Sequence, residues 1–343
     1  MSKVTWLDKL EEQGTAPFLS SITIAQEAKR FLPFKPHDQT SNQRLVYEQM
    51  ISPENHEMFL KTVKEGKDEG WEPLILIITG RVPCSFHAYD TRKVVAQARS
   101  YAREFEKLGI SKDRICIKIP CTGPALNASP ILLKEGIRTL GTSLFSVAQA
   151  IAASQAEALS ISPYYNFPWY HIDREQWPNA KDPALDHPMS PRIVQIQHIY
   201  KCLREETGKE QPLLKPASFI SARETMAMAE LGCDHATIPE NVLLQLSLLD
   251  AKANPPPGSD SYMKTGTPSQ RLAHLAEVDP LAGPDWSGLP SLDIDYLADN
   301  GAALTEAIAA DTVTQRGLDE ALEAFKASEL QSRDAIGEAL KQF

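Results

Sequence analysis

Arg114-Ile-Cys-Ile-Lys-Ile-Pro120 is a short apolar strand with one lysine near its C-terminal end. Read with a period of two, Ile115, Ile117 and Ile119 share one face, and Cys116, Lys118 and Pro120 share the other. The strand–helix rhythm it belongs to decides the fold. Downstream come a helix over Pro124 to Glu135 stopped by Gly136, a strand over Thr139 to Phe145, a helix over Ser146 to Ala156 and a strand over Leu159 to Pro163. A proline- and aromatic-rich insertion, Tyr164 to Ser190, interrupts. The rhythm then resumes with a helix from Pro191 to Glu206, a strand from Pro212 to Phe219, a helix from Ala222 to Leu231, a strand from His235 to Ile238 and a helix from Glu240 to Leu249. Upstream, strands are expected over Phe18 to Ile24, just before His37, and over Pro73 to Val82, with helices over Gln43 to Lys67 and Thr91 to Leu108.

Eight strand–helix units predict an α/β chain closed into a (β/α)8 TIM barrel, spanning residues 1–252 with an N-terminal helix. The rival is a doubly wound open sheet. It would carry a glycine-rich phosphate turn, and the chain has neither Gly-x-Gly-x-x-Gly nor a Walker pattern. Pro255-Pro-Pro-Gly258 opens the remainder, 253–343, as a linker. Helical stretches at Ser269 to Ala276, Leu292 to Ala309 and Gly317 to Gln342 are expected to pack on the barrel as additional C-terminal helices.

The formal net charge of −10 over 343 residues argues against a partner such as nucleic acid or an anionic membrane, each of which calls for a basic face. No apolar run approaches the ~18 residues of a membrane span, and Met1 to Gly14 lacks the apolar centre of a secretory signal. Five cysteines, an odd number with no Cys-x-x-Cys pair, argue against disulfides and structural zinc and suit a reducing cytosol, so a cytoplasmic location is expected. His171 and Asp173 read as a solvated loop pair, not metal ligands; no metal and no cofactor are expected.

A lysine within so apolar a strand is costly to bury while charged. One reading is a side chain that snorkels from the strand end. The other is a desolvated amine of lowered pKa, able to form a Schiff base with a carbonyl. Barrel chemistry sits where strands end, which gathers Asn42, Lys118, Thr142, Ser162, Tyr164, Lys215 and Ser218 around one opening. Any single Ser, Thr or Asn there is more often a helix cap. Seven polar groups with two lysines favour a site.

The chain resembles the transaldolase and fructose-6-phosphate aldolase family. The resemblance rests on Ile117-Lys-Ile-Pro-Cys-Thr122, on Leu133 to Gln149 with its Leu-Phe-Ser-Val-Ala-Gln run, and on Ser162-Pro-Tyr164. Asp38-Gln-Thr-Ser-Asn42, Tyr89-Asp-Thr91, Ala217-Ser-Phe219 and Leu231-Gly-Cys-Asp234 follow the same pattern, so it covers roughly Asp38 to Leu249. It implies Lys118 as the Schiff-base lysine, with Asn42, Thr142 and Ser162 in one pocket and Tyr164 as an acid/base tyrosine. It also implies a small-molecule carbonyl substrate and leaves room for a homo-oligomer.

The departures are equally informative. The family's first strand carries an aspartate; Gln13 to Gln26 has Ser20 and Thr23 there and no acid before the strand ends. A glutamate expected on the third strand is missing from Pro73 to Tyr89. Two cations that hold a substrate phosphate are replaced by Phe167 and Ile220. A charge-assisted hydrogen bond to phosphate is worth on the order of 1.5–3 kcal/mol, so without the two cations sugar-phosphate binding is expected to weaken by two or more orders of magnitude. Arg223, at a helix start, could partly replace them. The favoured expectation is an unphosphorylated substrate walled by Phe167, Trp169, Tyr165 and Ile220, with Lys215 pairing a carboxylate or repelling the charge on Lys118. Ordinary pentose-phosphate transaldolase and an inactive barrel kept for binding are the alternatives.

Overall fold

The computed structural model describes residues 4–12, 16–19, 38–67, 87–255, 267–284 and 286–343. The expected strand Pro73 to Val82 and the candidate residue Ser20 lie outside the described residues.

Among the described residues, seven parallel strands run in chain order: β1 (Ala16–Leu19), β2 (Asp38–Gln39), β3 (Cys116–Pro120), β4 (Arg138–Leu144), β5 (Ser160–Pro163), β6 (Leu213–Leu214) and β7 (His235–Ile238). β1 pairs with β2 on one side and β7 on the other, and β3, β4, β5 and β6 pair in sequence. The two groups join where Asp234 N–H donates to the Leu214 carbonyl and Thr237 N–H to the Pro216 carbonyl. The strand order is therefore β2-β1-β7-β6-β5-β4-β3. The chain between β2 and β3 is where the sequence places one further strand. This is the strand order of a (β/α)8 barrel.

The helices follow their local chemistry. Gln43 to Lys67 forms two helices, Gln43–Ile51 and His56–Glu65, because Pro53 cannot donate the hydrogen bond that would continue the first. Thr91–Lys107 starts at Asp90, whose carboxylate accepts from Lys93 N–H, and buries Val94, Val95, Ala98, Tyr101 and Ala102. They pack with Ile117 and Ile119, the apolar face of the lysine strand. Burying each of those isoleucines contributes about 1.5–3 kcal/mol. Ser190–Thr207 closes on Gly208 in the left-handed conformation that terminates helices.

Two expectations need adjusting in the tail. Leu292 to Leu297 is not helical; the helix is Ala298–Ala310, interrupted at once by Asp299, Asn300 and Gly301 with positive φ. The last helix starts earlier than Gly317, at Thr312, where Asp311 caps it, and continues to Leu340. It lies along Gln43–Ile51 and against β4. None of the described helices is long and apolar enough to cross a membrane.

Candidate active site

Register places the polar strand residues on one face. Lys118 pairs with Leu140, which pairs with Ser160; Pro120 pairs with Thr142; Ile161 pairs with Leu214, which sets Ser162 and Lys215 on the opposite face from Leu214. Lys118, Thr142, Ser160, Ser162 and Lys215 thus share a face. Ile117, Ile119, Thr139 and Gly141 share the other, and there the Thr139 hydroxyl bonds Ser129 on a surrounding helix at 3.0 Å.

Lys118 keeps only part of its side chain accessible. Burial lowers its pKa from 10.5 to about 8, opposed by a weaker attraction to Cys116. About one amine in ten is then neutral at pH 7, against about one in three thousand for an ordinary lysine. Such a depression favours the desolvated amine over the snorkelling ammonium.

Four hydroxyls on the adjoining strands are buried: those of Ser160 and Ser162 have no hydrogen-bond partner among the described residues, and those of Thr142 and Ser143 have the Tyr164 phenol beside them. A native barrel does not ordinarily leave such hydroxyls unmet, so the face opposite the helices is prepared for water or a polar ligand. Tyr164, next along from Ser162, pairs with Ala217 and sets its ring edge-on to Phe145 at 5.2 Å. Burial raises its pKa, while the nearby hydroxyls of Thr142 and Ser143 oppose the shift.

Gln149, the last residue of Leu-Phe-Ser-Val-Ala-Gln, explains that run. Its Oε1 accepts from the N–H groups of Phe145 (2.7 Å) and Ser146 (3.1 Å), and its Nε2 donates to the carbonyls of Cys121 (2.9 Å) and Ser143 (3.2 Å). With Ser146 it forms a capping box for Val147–Gln155. One buried amide therefore fixes the ends of β3 and β4 together.

Several expected site residues have other employment. Asn42 caps Gln43–Ile51 by accepting from Leu45 N–H at 2.9 Å, which leaves its Nδ2 for a ligand. Ser218, at φ +70°, donates to the Asn166 carbonyl (2.7 Å) and lies 2.7 Å from His171 Nε2. With the serine proton already placed, His171 is the donor of that second bond. Burial, then Arg174, lowers the pKa of His171. Lys215 is buried, and its charge acts on Asp234, whose carboxyl is raised by burial and lowered by the Leu214 N–H, Arg204 and Lys215. Arg223 stands exposed in the first turn of Ala222–Glu230.

The expected aromatic walls are partly corrected. Phe167 is fully buried, stacked on Trp169 at 4.5 Å and on Phe145 at 5.8 Å. Tyr165 turns away from Tyr164: its ring stacks on His187 at 3.9 Å and its hydroxyl donates to the Pro183 carbonyl at 2.7 Å. Neighbours along an extended chain point to opposite sides, so both tyrosines cannot line one pocket. Ile220 is buried while its N–H donates to Glu224.

Sequence reading missed Glu224. It is buried, with its pKa raised by desolvation, and accepts from Ile220 and Ser221 N–H, Asn166 Nδ2 and Trp177 Nε1. Ser221 three residues ahead of it was the available signal, a capping box. Ser143 and Ser160 were also missed; the parity of Ser160 with Ser162 was the signal for the latter. No cluster of three or more His, Cys, Asp or Glu side chains that could hold a metal occurs among the described residues.

Comparison with known proteins gives the family. The Transaldolase/Fructose-6-phosphate aldolase family profile matches residues 21–261. The chain belongs to that family. Two similar relatives, each named Transaldolase, come from Rhizobium leguminosarum bv. trifolii (strain WSM2304) and Rhizobium etli (strain ATCC 51251 / DSM 11541 / JCM 21823 / NBRC 15573 / CFN 42). Each is 31% identical over 273 residues, covering 72% of this chain and 79% of the relative. Transaldolase-family membership makes the protein an aldolase- or transferase-type enzyme of (β/α)8 fold acting on small-molecule carbonyl compounds.

Proposed function

We propose that the protein makes or breaks a carbon–carbon bond through an iminium on Lys118, without a metal, on an unphosphorylated carbonyl substrate. The observation that carries this reading is a part-buried lysine, its pKa lowered by desolvation, on the same strand face as a wall of buried hydroxyls. The neutral amine attacks the carbonyl carbon; the resulting carbinolamine loses its hydroxyl as water and leaves the iminium. That cation accepts the electron pair of the adjacent carbon–carbon bond as it breaks, giving an enamine, and the reverse direction forms the bond. Tyr164 relays a proton to or from the aldol oxygen, through water. Thr142, Ser162 and Asn42 Nδ2 orient substrate and water.

Phe167 and Ile220 support the absence of phosphate from the substrate. Both are buried apolar packing, so neither position offers a charge to a dianion. Borohydride with a panel of carbonyl compounds should add mass to the Lys118 peptide; an unlabelled peptide across the panel rejects the mechanism.

The names of the Rhizobium relatives favour a second reading, ordinary transaldolase exchange between sugar phosphates. A coupled assay with fructose 6-phosphate and erythrose 4-phosphate separates the two. Little turnover is expected, and brisk turnover would establish the second reading. If Lys118→Met leaves the cellular role intact, a binding barrel is the correct description instead.

A further inference from the structure

β4 carries an extra residue. Gly141 pairs with Ile161 and Leu144 with Pro163, so three steps on β4 span two on β5. This is a bulge, and a bulge re-aims side chains. Its left-handed residue is Ser143, at φ +52°. Serine seldom adopts that conformation, and glycine or asparagine would be the ordinary choices there. Glycine is not what the chain uses, so a side chain matters at this position.

That side chain is fully buried. The peptide around it is held firmly. Gln149 Nε2 donates to the Ser143 carbonyl at 3.2 Å, and Tyr164 N–H donates to the next carbonyl, Leu144, at 2.9 Å. The bulge is therefore bonded directly to the backbone of Tyr164, and the Ser143 hydroxyl lies beside the Tyr164 phenol with that of Thr142.

We infer that Ser143 is a positioning residue for Tyr164: the bulge re-aims its hydroxyl so that, with Thr142, it orients the phenol for proton relay. This rests on the reading of Tyr164 as the proton-relaying group. The strained bulge, the buried hydroxyl and the short backbone link then have one common purpose. Thr142 is the partner that sequence could suggest; Ser143 becomes visible only through the bulge.

The test uses the full chain with 3,5-difluorotyrosine incorporated at position 164, whose fluorines bring the phenol into an accessible titration range and report it by fluorine NMR. Ser143→Gly removes the hydroxyl and relieves the backbone; Ser143→Ala removes the hydroxyl and keeps the strain. Both are expected to raise the phenol pKa by about half a unit or more. In unlabelled protein, both should move the alkaline limb of kcat upward. Unchanged titration in both variants overturns the inference, as does a shift in one alone, which would mark a backbone effect. The titration needs no turnover. If it shifts while Tyr164→Phe retains full activity, the positioning contact stands and the relay role of Tyr164 falls.

Discussion

The backbones of Gly123 and Gly301 meet so closely that neither residue has room for a Cβ. Gly123 follows Thr122 directly beyond the lysine strand, and Gly301 sits in the left-handed break that opens Ala298–Ala310. Around them, the Thr91 hydroxyl lies 2.7 Å from the Pro124 carbonyl and 3.0 Å from Asn300 Oδ1, and the Thr122 hydroxyl donates to the Ala88 carbonyl. The tail is thereby fastened to the end of the strand that carries Lys118.

Gly301→Ala should therefore destabilise the protein by about 2 kcal/mol or more, through both the positive φ and the backbone overlap. Thermal unfolding checks this. Gly288, also at positive φ but with open space around it, is the control: Gly288→Ala should lower Tm less.

Lys118→Met should abolish borohydride trapping and yet raise stability. Burial depresses the lysine pKa, so between about pH 8 and 10.5 the unfolded chain binds more protons than the folded one. Stability consequently rises with pH across that window, and below it the charged amine opposes folding by roughly 3 kcal/mol. The methionine variant should regain much of this at pH 7 and lose the rise. Parallel denaturant titrations at pH 7 and pH 9.5 read both effects.

Imine formation requires the neutral amine. The trapping rate should climb about tenfold per pH unit below pH 8 and level off above it. Quenching timed samples with borohydride across pH 6 to pH 10 gives the profile. A midpoint near 10 would mean that Lys118 is not desolvated.

Phe167→Arg, which places a cation where the family resemblance implies a phosphate contact, should lower stability by about 3 kcal/mol or more and not confer sugar-phosphate turnover. The position is sealed between Phe145 and Trp169, and an unpaired guanidinium there has no water to replace. Arg316, 3.9 Å above the Trp169 ring, adds a like charge nearby. Unfolding curves and the coupled assay measure the two outcomes.

Arg192→Met should cost about 3–5 kcal/mol. Its buried guanidinium contacts Asp279 at 2.9 Å and Asp311 at 2.8 Å, and donates to the Phe145 carbonyl and the Thr314 hydroxyl at 2.8 and 3.0 Å. Removal leaves two carboxylates without their cation. Because Phe145 packs on Tyr164, the variant should also blur the tyrosine environment, seen in near-UV circular dichroism.

Much of this was legible in the chain itself. β3, β4, β5 and β7 fall within a residue or two of where the apolar patterning put them, and so do the helices Thr91–Lys107, Val147–Gln155 and Ala222–Glu230. The shared face of Lys118, Thr142 and Ser162 follows from alternation once the pairing is known. β6 was overestimated: of Pro212 to Phe219 only Leu213–Leu214 is strand, with Ala217 bridging to Tyr164 separately. Pro212 and Pro216 lack the N–H a longer ladder needs.

Composition and periodicity alone thus determined the alternating strands and helices and the placing of one lysine on an otherwise apolar strand, because those depend on residues a few positions apart. Tertiary structure alone decided that Phe167 is sealed by stacking, that Ser218 is bonded to Asn166 and His171, that Ser143 sits in a bulge facing Tyr164, and that Gly123 meets Gly301. Each of these depends on atoms brought together from distant parts of the chain, where register, packing volume and hydrogen-bond competition act and no local pattern records them.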